Sequence, residues 1–212
     1  MHRVTNFLLL GLIFCITSGC TTTVTPPPHV GDPVTVYLAD YGRHSSLLLP
    51  TSPNHYMEYA FGDWNFFALG HTQWWVGAEA MVHSPKSTLG RREVVVKADD
   101  ERLRRWLGCK RLMRFQADRL RVDVLNMNLE RTFDVSPIES VHSKYSDLDH
   151  VPDDEQYWGF HNCNHVTAEW LRQLGCEVTG TANFSNFRLS ATTPSPSTLG
   201  EGRGEGSSNY PP

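Results

Sequence analysis

Cys163 stands in the run Trp158-Gly159-Phe160-His161-Asn162-Cys163-Asn164-His165-Val166-Thr167, between two asparagines and two histidines. A cysteine acts as a nucleophile through its thiolate, so it needs a base and surroundings that favour ionised sulfur. Val166, Trp170, Leu171 and Leu174 recur at helical spacing and Gly175 is a natural stop, which predicts a helix starting at or near Cys163. Unpaired backbone N–H groups and the positive end of the helix dipole then face the sulfur. The competing reading is a buried, inert cysteine that fills the first turn, a common fate of free cysteines.

His44 is the candidate base. It opens an apolar run after the turn Asp40-Tyr41-Gly42-Arg43 and shares a strand face with Ser46 and Leu48. Glu58 lies in the next apolar run and is the candidate for the group that orients the imidazole. Adjacent antiparallel strands can set the two opposite each other, but the register is not legible in the sequence. His44 as a turn cap and Glu58 as a solvated carboxylate are the alternatives. His165 reads as a supporting or core histidine. A metal site on His161, Cys163 and His165 has suitable ligand types for zinc. On a helix, however, His161 and Cys163 diverge, so that reading requires an extended segment. No metal or other cofactor is called for.

Three segments must position these groups. Val34–Ala39, His44–Leu49 and Tyr56–Phe61 read as an antiparallel meander punctuated by Gly42, Pro50 and Gly62-Asp63. A short helix is predicted over Gln73–Val82 and a strand over Glu93–Lys97. A helix capped by Asp99 or Asp100 is expected to run to about Phe115, and the alternation of Leu120, Val122 and Val124 suggests a strand over Arg119–Leu125. Met127–Gln156 reads as an irregular stretch long enough to cover the site. The Cys163 helix and the segment Glu177–Thr179 follow. The expected class is α+β, with a mainly antiparallel sheet and a nucleophile-bearing helix.

The chain has 212 residues, 40% hydrophobic, with a formal net charge of −4. That suits one domain with a sizeable core. No basic stripe points to nucleic acid. Arg3 precedes an apolar run, Phe7–Ile16, that is too short to span a bilayer as a mature helix. Ile16-Thr17-Ser18-Gly19-Cys20 resembles the lipobox of bacterial lipoproteins, in which the peptide is cut before a cysteine that then carries lipid. The departure is Thr17, where a leucine is usual, and an ordinary secretory signal is the alternative. Thr21 is not aspartate, which by the sorting pattern of such proteins implies the outer membrane. Residues 1–19 are thus expected to be a signal peptide. Residues 20–32, with Pro26-Pro27-Pro28, are expected to be a tether, and residues 33–189 the domain. Residues 190–212, rich in Ser, Thr, Pro and Gly, are expected to be a disordered tail. With Cys15 removed and Cys20 acylated, Cys109, Cys163 and Cys176 remain; a Cys109–Cys176 bridge and two separate thiols are both open. Trp64, Trp74, Trp75 and Trp158 are core residues or walls of a substrate groove.

Arg43-His44-Ser45-Ser46, then Glu58-Tyr59-Ala60-Phe61-Gly62, then Asn162-Cys163-Asn164-His165 resembles the permuted papain-like thiol hydrolases. That group includes NlpC-type proteins, lecithin retinol acyltransferase and the desumoylating isopeptidases. In it the histidine strand precedes the cysteine helix. The wider spread of Tyr41–His44, Leu49-Pro50, Phe61–Asp63, Trp74-Trp75, Ser87–Leu89 and Asn162–Asn164 is similar to an uncharacterised bacterial lipoprotein family. The resemblance covers most of residues 34–180. It implies Cys163 as nucleophile and His44 as base; the third position varies among members, so Glu58 is matched to it only weakly and His55 and His71 are spare candidates. The oxyanion hole it implies is the Cys163 backbone N–H plus a neighbouring donor, for which the Asn162 side chain is a candidate. It also implies amide, isopeptide or ester cleavage through an acyl-thioester, on a peptidoglycan peptide or an acyl lipid at the cell envelope. The alternative is a non-catalytic envelope lipoprotein with a binding role on the same fold. Nothing in the sequence specifies an oligomeric state.

Overall fold

The computed structural model describes residues 21–71, 73, 86–96, 99–159 and 161–190. The expected signal peptide, Cys20, residues 74–82 of the expected short helix, Trp74, Trp75 and the tail beyond Ser190 lie outside the described residues. The fold is α+β. Seven antiparallel strands form one sheet in the order β6-β2-β3-β4-β5-β8-β7. They are β2 (Pro33–Asp40), β3 (Ser45–Ser52), β4 (His55–Asp63), β5 (Ser87–Val95), β6 (Arg111–Asp118), β7 (Val141–Ser143) and β8 (Leu148–Asp153). A small mixed sheet holds β1 (Thr22–Thr25) between β9 (Glu177–Thr179) and β10 (Phe187–Leu189). The helices are α1 (Asp100–Leu107), α2 (Arg119–Asp134) and α3 (Cys163–Gln173), with a π-helical turn over Trp64–Ala68. No helix among the described residues is long and apolar enough to cross a membrane.

Strand alternation divides the sheet into two buried faces. Val36, Leu38, Leu47, Leu49, Tyr59, Phe61, Leu89 and Val151 face the larger core, where Val122, Leu125 and Leu129 of α2 and Trp170, Leu171 and Leu174 of α3 meet them. Tyr37, Ala39, Leu48, Tyr56 and Val94 face the other way and pack on Leu103 and Leu107 of α1. A sheet covered on both sides explains why these strands read as nearly continuous apolar runs.

Four expectations are corrected. The helix after Asp99 ends at Leu107, because Gly108 takes a left-handed φ of 72° that stops it. Residues expected to continue it form β6, which pairs with β2 along its whole length. The segment after Asp118 is the helix α2 and not a strand. Its buried positions, Val122, Leu125 and Leu129, follow helical spacing, whereas Leu120 and Val124, which gave the period-two pattern, are exposed. Within the stretch expected to be irregular, α2, β7 and β8 are regular elements. Finally, Thr22–Thr25 of the expected tether is a strand, with Thr22 and Val24 buried.

Candidate active site

The ladder between β3 and β4 pairs Ser52 with His55 at one end and Leu47 with Tyr59 at the other, and goes no further. Before Leu47, β3 pairs only with β2, down to Asp40 opposite Ser45. The start of α3 meets the chain at this opening. Ser45 Oγ donates to Asn164 Oδ1 at 2.9 Å and to Thr167 Oγ1 at 3.2 Å, and Thr167 Oγ1 donates to the Cys163 carbonyl at 2.8 Å. These buried hydroxyls bolt the first turn of α3 to β3 across some 120 residues of sequence.

Asn162 is the N-cap. Its Oδ1 accepts from the Asn164 and His165 N–H groups, and the Asn162 N–H donates to His165 Nδ1 at 3.5 Å, a reciprocal capping pair. The Asn162 Nδ2 donates to the Gly159 and Asn183 carbonyls. Both ends of this amide are therefore engaged in holding the turn. Asn162 and His165 set the helix start.

Cys163 is 3% exposed. Its thiol donates to the Arg43 carbonyl at 3.9 Å, and the N–H groups of Ser45 and Asn164 and the Tyr157 hydroxyl lie close enough to the sulfur to favour its thiolate. The sulfur thus touches the backbone on both sides of His44. Burial pushes the thiol up to about 11, and these donors, which favour the thiolate, offset only part of that rise. The helix start alone therefore does not ionise the sulfur. Tyr157 lies beside the thiol, and its own pKa is raised by burial and by that neighbour.

The His44 ring packs on Phe67 at 4.7 Å and on Tyr41 at 6.0 Å between ring centroids. Phe67 reaches it only because residue 62 is glycine: a Cβ there would lie 2.3 Å from Phe67 Cδ2. His44 Nδ1 is buried and has no hydrogen-bond partner among the described residues. Burial pushes His44 down to about 4, helped by the neighbouring His150. The ring is therefore neutral near pH 7, and its Nδ1 is unclaimed.

Glu58 lies opposite Leu48, not opposite His44. It accepts from Tyr41 Oη and Ser46 Oγ, each at 2.6 Å, and from Arg92 Nε at 2.7 Å. It makes no hydrogen bond to His44 among the described residues and reaches that ring only through Tyr41. Glu58 and His44 instead share the wall of a cavity of about 440 Å³ with Phe67, Arg92, Trp106 and Tyr145. His150 sits beside it, fully buried, with Nε2 on Ser146 Oγ at 2.7 Å and Nδ1 on Thr88 Oγ1 at 3.2 Å. The spare histidines lie elsewhere: His55 bonds Glu93, and His71 N–H donates to the Asn65 carbonyl. His161 Nε2 bonds Glu155 and His165 caps α3, so the residues of the metal reading do not converge. Cys109, Cys163 and Cys176 are all free thiols, with Cys109 and Cys176 in different cores.

Sequence reasoning missed Tyr157, Ser45 and His150. Ser45 was accessible from the alternation that put His44 on the opposite side of the strand. Tyr157 and His150 reach their places through loop paths that no periodicity reports. Compared with protein-family models, curated proteins and solved structures, the chain finds no match.

Proposed function

We propose that the chain is a cysteine hydrolase of the bacterial cell envelope, anchored through a lipid on Cys20 and cleaving an amide, isopeptide or ester bond. The observation that carries this reading is a buried cysteine at the start of α3 set against the backbone of a histidine whose ring nitrogen is unpartnered. The Cys163 sulfur lies against the backbone flanking His44, and the buried His44 Nδ1 is unpartnered. The resemblance of the Arg43–Ser46 and Asn162–His165 motifs to permuted papain-like hydrolases points the same way.

In the resting arrangement both groups are neutral. As Cys163 Sγ attacks a carbonyl carbon, an S–C bond forms and the thiol proton passes to His44 Nδ1. The imidazolium then gives that proton to the departing amine or alcohol as the C–N or C–O bond breaks. Water, deprotonated by the same nitrogen, releases the acid and restores the thiol. The carbonyl oxygen becomes an oxyanion near the Cys163 N–H. The Tyr157 hydroxyl, beside the sulfur, supplies the second donor. Tyr157 takes the place that sequence reasoning gave to Asn162. Glu58 has a positioning role at most, holding Tyr41 against the His44 ring.

A non-catalytic binding role is the second reading, favoured by the deep burial of the thiol and by the cavity lined by His44, Glu58 and Arg92. Incubation with a p-nitrophenyl acyl ester followed by intact-protein mass spectrometry separates the two. The hydrolase reading expects one acyl group per chain on Cys163. It expects none in Cys163→Ala, and acylation slowed on the order of 10²-fold in His44→Ala. Equal acylation of wild type and Cys163→Ala, or none in either, leaves the binding reading.

A further inference from the structure

The first described residue, Thr21, follows Cys20 directly, and the strand β1 begins at Thr22. Two residues of extended chain span at most about 7 Å. A lipid on Cys20 therefore holds the domain close, with no free tether between them. It also fixes which end of the domain is held. β1 runs parallel to β10 from Thr22 opposite Phe187, and antiparallel to β9 with Thr23 opposite Thr179. The loop 180–186, which joins β9 to β10, thus lies at the Thr22 end.

That loop is fastened on both sides. Thr22 N–H donates to the Asn186 carbonyl at 3.0 Å, Ala182 N–H donates to Thr22 Oγ1 at 3.0 Å, and Asn186 Nδ2 donates to Thr21 Oγ1 at 3.2 Å. On the other side Ser185 Oγ donates to the His44 carbonyl at 2.9 Å, and the Asn183 carbonyl accepts from Asn162 Nδ2 at 3.4 Å. The point where the chain leaves toward Cys20 and the candidate reaction centre are therefore joined through one short loop.

Two large aromatics stand out at this end, Phe184 at 58% and Trp158 at 44% exposure. Their backbones approach each other, because Asn162 Nδ2 bridges the carbonyls of Gly159 and Asn183, each one residue away from an aromatic. Arg43 and Lys110 are exposed at the same end of the sheet, on either side of Asp40. Exposed aromatics flanked by cations suit the headgroup region of an anionic bilayer, where rings enter the apolar boundary and cations meet lipid phosphates.

We propose that the loop 180–186, with Phe184, Trp158, Arg43 and Lys110, is a bilayer-contacting surface that seats the Asn162–Cys163 end of the domain on the membrane carrying its anchor. This rests on the acylation of Cys20 proposed above. The surface opposes the bilayer with or without catalysis, so Cys163→Ala docks as the wild type does.

The test introduces one tryptophan at Phe184 (F184W) and, as a control, one at Leu120 (L120W), which is 71% exposed at the start of α2, beyond Asp118 and the opposite end of β2 and β6. The full chain, acylated in a bacterial host, is reconstituted in phosphatidylglycerol–phosphatidylethanolamine vesicles with or without lipids brominated near the headgroup. A second arm holds the chain from residue 21, with a hexahistidine tag before Thr21, on the same vesicles doped with a nickel-chelating lipid. After subtraction of the wild-type signal, the emission added at position 184 is expected to lose at least half its intensity in brominated vesicles, and that at position 120 to be unchanged. Phe184→Asp should weaken the vesicle affinity of the untagged chain from residue 21 at least threefold. Position 184 quenched no more than position 120 in both arms overturns the surface. If the full chain carries no lipid but the chelated arm shows the selective quenching, the acylation reading fails and the surface stands.

Discussion

Acidification offers a direct test of how the interior is arranged around the site. His150 is fully buried and pushed down to about 4 from the ordinary 6.5, by burial first and with an opposing contribution from Asp149. In the unfolded chain it protonates with its ordinary pKa, so between those two values the unfolded state binds more protons and stability falls as the pH falls. The contribution is fully present above pH 6.5 and is lost progressively down to about pH 4. For one such histidine the loss relative to neutral pH is about 2 kcal/mol at pH 5 and about 3 kcal/mol at pH 4. His44, also pushed down to about 4, adds a share of the same sign, reduced because the two rings repel each other once charged. Asp153, raised by burial, works in the opposite direction but is common to both proteins compared. The perturbation is His150→Gln, which never charges and keeps an amide to meet Ser146 and Thr88. Urea unfolding of both proteins at pH 7.5 and pH 5 gives the readout. The wild type should lose about 2 kcal/mol more than the variant between the two pH values. Equal losses would mean that His150 is hydrated or already charged in the fold, and the burial argument would be wrong.

Gly90→Ala should destabilise by about 1–3 kcal/mol in the same urea assay, because its Cβ would stand 2.6 Å from His150 Cε1, on a ring held at both nitrogens. Glu58→Ala should cost about 3–5 kcal/mol by removing the buried partner of Arg92, which keeps only the exposed Asp147 carboxylate, and by stranding two hydroxyls. In a folded sample, Glu58→Ala should slow acylation of Cys163 far less than His44→Ala does. An equal slowing would restore Glu58 as the group that orients His44.

Much of the scaffold is legible in the chain because local rules and burial agree there. The meander β2–β4 and the helix α3 appear within a residue or a few of where periodicity, Gly62 and Gly175 put them, whereas the capping role of Asn162 emerges only from the fold. The sequence also brings His44 and Cys163 forward as residue types that belong together. It fails at β6 and α2, where Leu120 and Val124 are exposed apolar residues that mimic a strand, and only packing on α3 shows that the helical set Val122, Leu125 and Leu129 is the buried one.

Tertiary structure alone decides the register that puts Leu48, not His44, opposite Glu58, since a pairing of strands is set by turn geometry and by the cores on both faces. It alone brings Tyr157 to the sulfur and His150 to the wall behind His44, contacts between loops and strands distant in sequence. Motif residues can be read from their neighbours along the chain. The charge state of Cys163 cannot: the sequence places it at a helix start that favours the thiolate, and the fold buries it so completely that desolvation outweighs every donor pointed at it.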